Sequence, residues 1–430
     1  MPTVRVTVTM KGSIVLAALL FLSASPVIAG EAAFSPAEQR IAWVRKAIEA
    51  NPKDHQAYNE LAISLARRAR ETSDTAFYDR AGEALKESFR IAPNNFEGRK
   101  AGVWLLLGRH EFAQALEEAR KLNRYAPDDL MVYGFLVDAN AELGNYQEAE
   151  EAAQWMLDLR PGNIPGLTRA AYLREIFGDI DGAVELLDTA YRRTQPTETE
   201  DRAWLLTHLA HLRLSAGKTD EAEKLLDGAL ALFPGYHYAL ANLAKVRSAQ
   251  QRFPEAVELL RQRYRAAPHP ENLFDLAEAL GLAGSLKESK AAFAEFEQKA
   301  RQEMNGADNA NRELIFYYTD HARRPAEALR IGRAEIARRR DVHTLDAYAW
   351  ALSATGDQTE AHRQIETALA VGVLDAKILY HAGVIAFRTN DRNAAMRHLQ
   401  RSLEVNPSSE VADSARKMLA RLQRRKGNQT

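Results

Sequence analysis

The sequence predicts an all-α protein: a right-handed α-solenoid, or superhelix, of about ten helix–turn–helix repeats with a C-terminal capping helix. Three observations carry that expectation. One small residue recurs along the chain at a nearly constant interval. Glycine and proline keep fixed offsets from it. Between these marks the apolar residues follow a helical period. Chains of this length normally split into several cores unless the architecture grows in one direction, as a repeat array does.

The recurring small residue is Ala81, Ala115, Ala149, Ala183, Ala222, Ala256, Ser289, Ala328, Ala361 and Ala395, in steps of 34, 34, 34, 39, 34, 33, 39, 33 and 34 residues. A period near 34 belongs to a helical hairpin that buries one face against the next hairpin. Both 39-residue steps contain polar stretches, 192–202 and 301–308, that read as longer loops. Gly144, Gly178, Gly217, Gly284 and Gly356 lie five residues before their anchors, where one helix must end and the chain turn. Glycine supplies the left-handed backbone of such a turn at little steric cost. Pro93, Pro127, Pro161, Pro234, Pro268 and Pro407 lie twelve residues after their anchors and stop the second helix. Only the repeat of Ala328 carries neither mark.

Within the third repeat Tyr133, Leu136, Val137 and Asn140 share one helical face, and Ala149, Ala152, Ala153, Met156 and Leu157 another. Twelve residues before the anchors stand Ala171, Ala210, Ala244, Ala277, Ala349 and Gly383, loosened to Val103, Val137 and Phe316. Small side chains there let the two helices of a hairpin approach closely. The first full repeat has an expanded turn at 69–77. The predicted domains are a signal peptide (1–29), a lone N-terminal helix (30–53), the solenoid (54–407) and a capping helix with a basic tail (408–430). Ser408 is the candidate cap of a last helix over 409–424.

The leader follows from the charged, apolar, small-residue order of a secretory signal: Arg5 and Lys11, the apolar run 14–22, then 23–30 with cleavage expected after Ala29. Translation from Met1 or from Met10 fits equally well. The apolar run is short for a transmembrane helix. An uncleaved leader is the one membrane contact the sequence offers. The expected location is therefore periplasmic or secreted. There is no cysteine, which removes disulfides, thiolate chemistry and a lipidated cysteine.

Lys plus Arg total 57 and Asp plus Glu 58, for a net charge of −1; nothing here has the basic footprint of a nucleic-acid binder. No phosphate-cradling glycine loop and no G-x-S-x-G elbow occurs. His208 and His211 are three apart, but lack the intervening glutamate of an H-E-x-x-H metal site. The expectation is a non-enzymatic protein without cofactor, metal or catalytic residues.

These residues resemble the tetratricopeptide-repeat family over nearly all of the mature chain. The best matches are LGNYQEAE (143–150) with the closing LRP (159–161), and AGKTDEAEKLL (216–226). AYLREIFGD (171–179), NRELIFYYTDH (311–321), LDAYAWAL (345–352) and LYHAGVIAF (379–387) resemble a group of exported bacterial members. The resemblance implies that the first helix of each repeat lines a concave face. Residues eleven before the anchors would then face inward: Trp104, Asp138, Tyr172, His211, Lys245, Glu278, Tyr317, Trp350 and Val384. Lys100, Phe274, Asp346 and Tyr380 stand fifteen before, and Trp204, Tyr238, His343 and Lys377 eighteen before. His208 falls nearer the packing side.

The mixture of aromatics and isolated charges suits a protein or extended peptide, because rigid amphipathic rings gain area with few rotors frozen. The resemblance also implies a test for a carboxylate clamp. Lys100 fits one clamp position, while Trp104 replaces the asparagine and Asp138 adds negative charge. The leading expectation is a protein-interaction scaffold of the cell envelope. The alternatives are a carbohydrate-binding or polymer-export accessory with Trp104, Tyr172, Trp350 and Tyr380 as stacking platforms, or self-association through a terminus docked in a neighbour's concave face.

Overall fold

A computed structural model describes residues 35–306 and 309–427, with side chains through Arg424. The predicted signal peptide lies outside the described residues. The helices belong to one compact unit that begins at Pro36, and no strand occurs among the described residues. A leading helix, α1 (Pro36–Ala50), precedes ten hairpins. These are α2 (His55–Thr72) with α3 (Ala76–Ile91), α4 (Phe96–Gly108) with α5 (Phe112–Tyr125), and α6 (Leu130–Glu142) with α7 (Tyr146–Leu159). There follow α8 (Ile164–Ile176) with α9 (Ile180–Arg193), α10 (Thr199–Ser215) with α11 (Thr219–Leu232), and α12 (His237–Ala249) with α13 (Phe253–Ala266). The series ends with α14 (Pro270–Leu282) and α15 (Leu286–Glu303), α16 (Asn311–Phe316) and α17 (Pro325–Ile336), α18 (Val342–Thr355) and α19 (Gln358–Leu369), and α20 (Ala376–Arg388) and α21 (Arg392–Val405). A final helix, α22 (Ala412–Gly427), lays Ala415, Leu419 and Leu422 on Leu399 of α21.

The small-residue column is the hairpin contact. Nine of the ten anchors are alanines no more than 1% exposed, and Ser289, 6% exposed, donates its hydroxyl hydrogen to the Ala277 carbonyl 2.7 Å away. A Cβ at Gly383 would stand 2.7 Å from Leu399 Cγ, so only glycine fits that approach. Where the column is broken by Phe316, α16 gives way to a π-helical turn over Tyr317–His321, the wider winding that tends to mark functional positions.

The interhelical turn is left-handed in nine repeats, with or without glycine. Beside the five predicted glycines, His110, Gln251, Arg323 and Asn390 hold φ values of 58°, 60°, 53° and 65° at the same offset. Arg323 therefore supplies, in strained form, the mark that the repeat of Ala328 lacks in sequence. A non-glycine residue there costs about 1–2 kcal/mol, partly offset by the greater freedom of unfolded glycine. Arg323→Gly is expected to stabilise the protein by about 0.5–1 kcal/mol, read as a higher urea midpoint at unchanged slope; no gain would mean the arginine side chain contributes as much as the strain costs.

Three local expectations differ from the structure. The expanded first turn is mostly helix: α2 runs to Thr72 and only residues 73–75 turn. The extra residues of the 39-residue steps likewise lengthen α10 to 17 and α15 to 18 residues, leaving shorter loops. Added backbone satisfies its own hydrogen bonds as helix and not as loop. The last helix starts at Ala412, not 409, and the Asn406 side chain accepts from the Ser408 amide, so Ser408 does not cap it.

Candidate functional site: a lumen bridged by successive superhelical turns

The first helices turn one face inward, and the superhelix winds tightly enough for successive turns to touch. Four contacts stitch residues more than 160 positions apart. The Arg340 amide donates to the Glu142 carbonyl at 2.9 Å, and the Val342 amide to the Tyr146 hydroxyl at 3.0 Å. The Asn406 side chain donates to the Leu214 carbonyl at 3.0 Å, and His237 Nε2 to the Arg70 carbonyl at 3.0 Å. Arg70 also pairs with Glu200 at 2.5 Å, and Glu200 accepts from the Tyr236 hydroxyl at 3.1 Å. The concave face is thus a lumen that the next turn bridges at these contacts.

A cavity of about 500 Å³ opens in this lumen beside the α6–α18 seam. Asp138, Tyr172 and His211 of the predicted set line it together with His343. So does His208, which was expected on the packing side. Its ring lies 3.9 Å from that of Trp204, and burial pulls its imidazole down to about 4, leaving it neutral at physiological pH. His211 Nε2 pairs with Glu175 at 2.9 Å. Burial pushes the Glu175 carboxyl up, but the His211 hydrogen bond and charge outweigh it, and the net displacement is downward. Arg169 holds Asp138 at 2.6 Å.

Glu142, Glu175, Arg312, Arg339 and Asp341 also line the cavity and were not among the expected site residues. Glu142 was within reach of the pattern: it lies four residues, one helical turn, beyond Asp138 on the same face. The same step reaches His321, paired with Glu278 at 3.0 Å, and Arg388, 5.4 Å over the Trp350 ring. Arg312, Arg339 and Asp341 were out of reach, because they arrive from the next superhelical turn. Asp341 caps α18 through the His343 and Thr344 amides and lies 3.7 Å from Arg312. Burial favours its neutral form, but Arg312 and its other cationic neighbours outweigh that and lower its carboxyl. Burial, followed by the charge of Asp341, pushes Glu142 up to about 7, with Arg339 and Arg312 opposing.

A second aromatic cluster sits farther along the lumen. Trp350 stacks on His381 at 4.1 Å, its indole donates to Asp320 at 2.8 Å, and Tyr380 lies 6.5 Å away. Beneath it Asp346 and His381, 3% and 2% exposed, pair at 2.8 Å. Asp346 is therefore a buried support and not an inward-facing contact. Lys377 crosses the Phe316 ring at 4.4 Å and pairs with Glu410 at 2.8 Å, ahead of α22.

The remaining expected residues differ in their surroundings. Phe274 is 5% exposed between Phe293 and Phe296, so it belongs to the core; Val384, 7% exposed, is likewise buried. Tyr317 packs on Phe293 at 5.4 Å and donates to Glu297. A stripe at helical spacing includes residues that wedge between neighbouring helices, and these two rings are of that kind. Lys100 is held by Asp129 at 2.8 Å and Glu97 at 3.0 Å, which occupies the ammonium a carboxylate clamp would need. Trp104 is half-buried with Arg67 5.9 Å from its ring, Tyr238 stacks on His237 at 3.9 Å, and Lys245 is exposed. Among the described residues no three His, Asp or Glu side chains are grouped to hold a metal ion.

Stacked helical hairpins around a lined lumen define an α-solenoid of the interaction-repeat class. Two profiles described as tetratricopeptide repeat match residues 176–243 and 213–280 in one case, and 101–164 and 347–410 in the other. Together they cover more than half of the chain, which belongs to the tetratricopeptide-repeat family. Tetratricopeptide repeats generally mediate protein–protein interaction. Among solved structures the chain is similar to a human IFIT1 dimer with m7Gppp-AAAA, at 14% identity over 86% of each chain and a TM-score of 0.50. It is also similar to the APC/C hetero-tetramer Cut9–Hcn1 at 14% identity, covering 89% of this chain but only 58% of that one, with a TM-score of 0.45. A third is a thermophilic tetratricopeptide-repeat protein of Thermus thermophilus at 22% identity, over 42% and 92% of the two chains, with a TM-score of 0.36. At these identities the likeness is one of fold. No curated protein sequence matches the chain.

Proposed function

We propose that this chain is a non-catalytic scaffold of the cell envelope that holds an extended segment of a protein partner in its lumen. The observation that carries the reading is the pairing of rigid aromatic platforms with fixed charges on the inward face. Trp350 is braced from below by the Asp346–His381 pair and oriented by Asp320. Such pre-ordered rings bind peptides without a large ordering cost, since their rotamers are already fixed. The envelope location rests on the charged and apolar order of residues 1–29.

The test is a partner search with the mature chain against envelope extract, followed by affinities for the recovered partner. Trp104→Ala with Trp350→Ala is expected to weaken binding by at least about tenfold while the far-ultraviolet circular dichroism stays unchanged. Undiminished affinity in the double variant would place the partner outside the lumen. Tight binding of a glycan in place of any protein would transfer the same platforms to a carbohydrate ligand.

A further inference from the structure

The seam between α6–α7 and the start of α18 borders the cavity, and two carboxylates from consecutive superhelical turns, Glu142 and Asp341, line that cavity together. We propose that this seam is a proton-controlled gate on the lumen, closed when Glu142 is protonated and loosened when Glu142 ionises opposite Asp341. The proposal rests on the reading that the lumen is the binding site, and it adds the regulation of that site.

The geometry supplies each part. Two backbone-amide hydrogen bonds hold the seam, from Arg340 to the Glu142 carbonyl and from Val342 to the Tyr146 hydroxyl. Glu142 therefore carries one latch on its own carbonyl while its carboxyl lines the cavity behind it. Its own helix adds Asp138, already paired with Arg169. From the α4–α5 turn comes His110; from α7, Tyr146; from α8, Tyr172 and Glu175, the latter paired with His211 of α10 near His208. From the next turn come Arg312 on α16, Arg339 and Asp341 ahead of α18, and His343 within it. Arg339 leans on Glu335 at 3.5 Å and Arg312 on Asp341 at 3.7 Å, so both cations are shared with other carboxylates. Charging Glu142 therefore adds a second negative charge to the cavity that Asp341 already lines.

The direction of the pH effect follows from linkage. In the closed form the Glu142 carboxyl is pushed up to about 7, against an ordinary value of 4.5 toward which solvent returns it when the seam opens. The closed form therefore binds the proton more tightly. Below about pH 4.5 both forms are protonated, and closure is at full strength. As pH rises toward 7 the open form releases its proton first, so closure weakens across that window and levels off above it. The open-to-closed ratio is expected to rise by roughly 10–100-fold between pH 4.5 and pH 7.5.

The chain has no native cysteine, so a pair of spin labels on Gln147→Cys and Ala337→Cys, both exposed positions beside the seam, reports its width by pulsed electron resonance. A single short distance is expected at pH 5, and a second, longer population at pH 7.5. Glu142→Gln, uncharged and of the same shape, is expected to keep the short distance at both values. A distance distribution that ignores pH in the otherwise wild-type chain overturns the gate, as does a pH response that survives in Glu142→Gln. Should the glutamine variant fail to fold, the pH series on the parent chain decides alone. The two readings separate cleanly. Seam opening with unchanged partner affinity in the Trp104/Trp350 double variant keeps the gate and removes the lumen as the protein site. A rigid seam with weakened affinity in that variant does the reverse.

Discussion

Gly178→Ala is expected to cost about 2–4 kcal/mol and to release one superhelical turn from the next, whereas Gly284→Ala costs about 1–2 kcal/mol and stays local. The two glycines share the same offset from their anchors and the same φ of 78°, so the left-handed strain of a Cβ is common to both. Their surroundings differ. Nothing lies within 4 Å of a Cβ at Gly284, but one at Gly178 would meet the Gly372 carbonyl oxygen at 2.4 Å and Leu374 Cγ at 3.0 Å. The contact is mutual, since a Cβ at Gly372 would stand 2.9 Å from the Phe177 carbonyl. Backbone faces backbone, so neither side can rotate away, and the turns must separate. Hydrogen exchange decides the matter: Gly178→Ala should speed exchange both around residue 178 and around residues 369–379, and Gly284→Ala only near its own turn. Equal costs and equally local exchange would mean that the turns do not bear on each other in solution. Because a repeat array unfolds in segments, the readout must be local and not one global midpoint.

Asp346→Ala is expected to cost about 3 kcal/mol and to loosen Trp350. Both members of the Asp346–His381 pair are nearly inaccessible, and His381 Nδ1 sits 2.8 and 3.0 Å from the two carboxylate oxygens. Removing the carboxylate strands a buried imidazole donor, which costs its full desolvation. The imidazole in turn is the plate under Trp350, with rings 18° from parallel. A double-mutant cycle with His381→Phe should return a coupling above about 1 kcal/mol, and partner affinity should fall with stability. If Asp346→Ala changes stability by less than about 0.5 kcal/mol, the pair is not a support.

The pattern of one helical hairpin was almost fully legible in the chain. All ten anchors are the buried contact of a hairpin, and all five column glycines are left-handed. Each mark answers a local demand: a close approach, a turn, an end of hydrogen bonding. Even the failures were local in kind, as where inserted residues extended α10 and α15 as helix. The inward face was legible in part. Tyr172, Asp138 and His211 do line the cavity, and Trp350 and Tyr380 do meet. Phe274 and Tyr317 occupy equivalent offsets yet pack into the core. Spacing assigns a direction from the helix axis, and the neighbouring helix decides whether that direction ends in space or in another ring.

By itself the sequence determined the repeat, its phase, its family and part of the set of groups that face inward. Only the tertiary structure decided that successive turns bridge this lumen, that Glu142 and Asp341 line one cavity, and that Gly178 meets Gly372. The reason is one of accumulation. A small rotation between each hairpin and the next is set by side-chain packing at every interface, and its sum over many repeats fixes which distant residues touch. No single interval in the sequence records that sum.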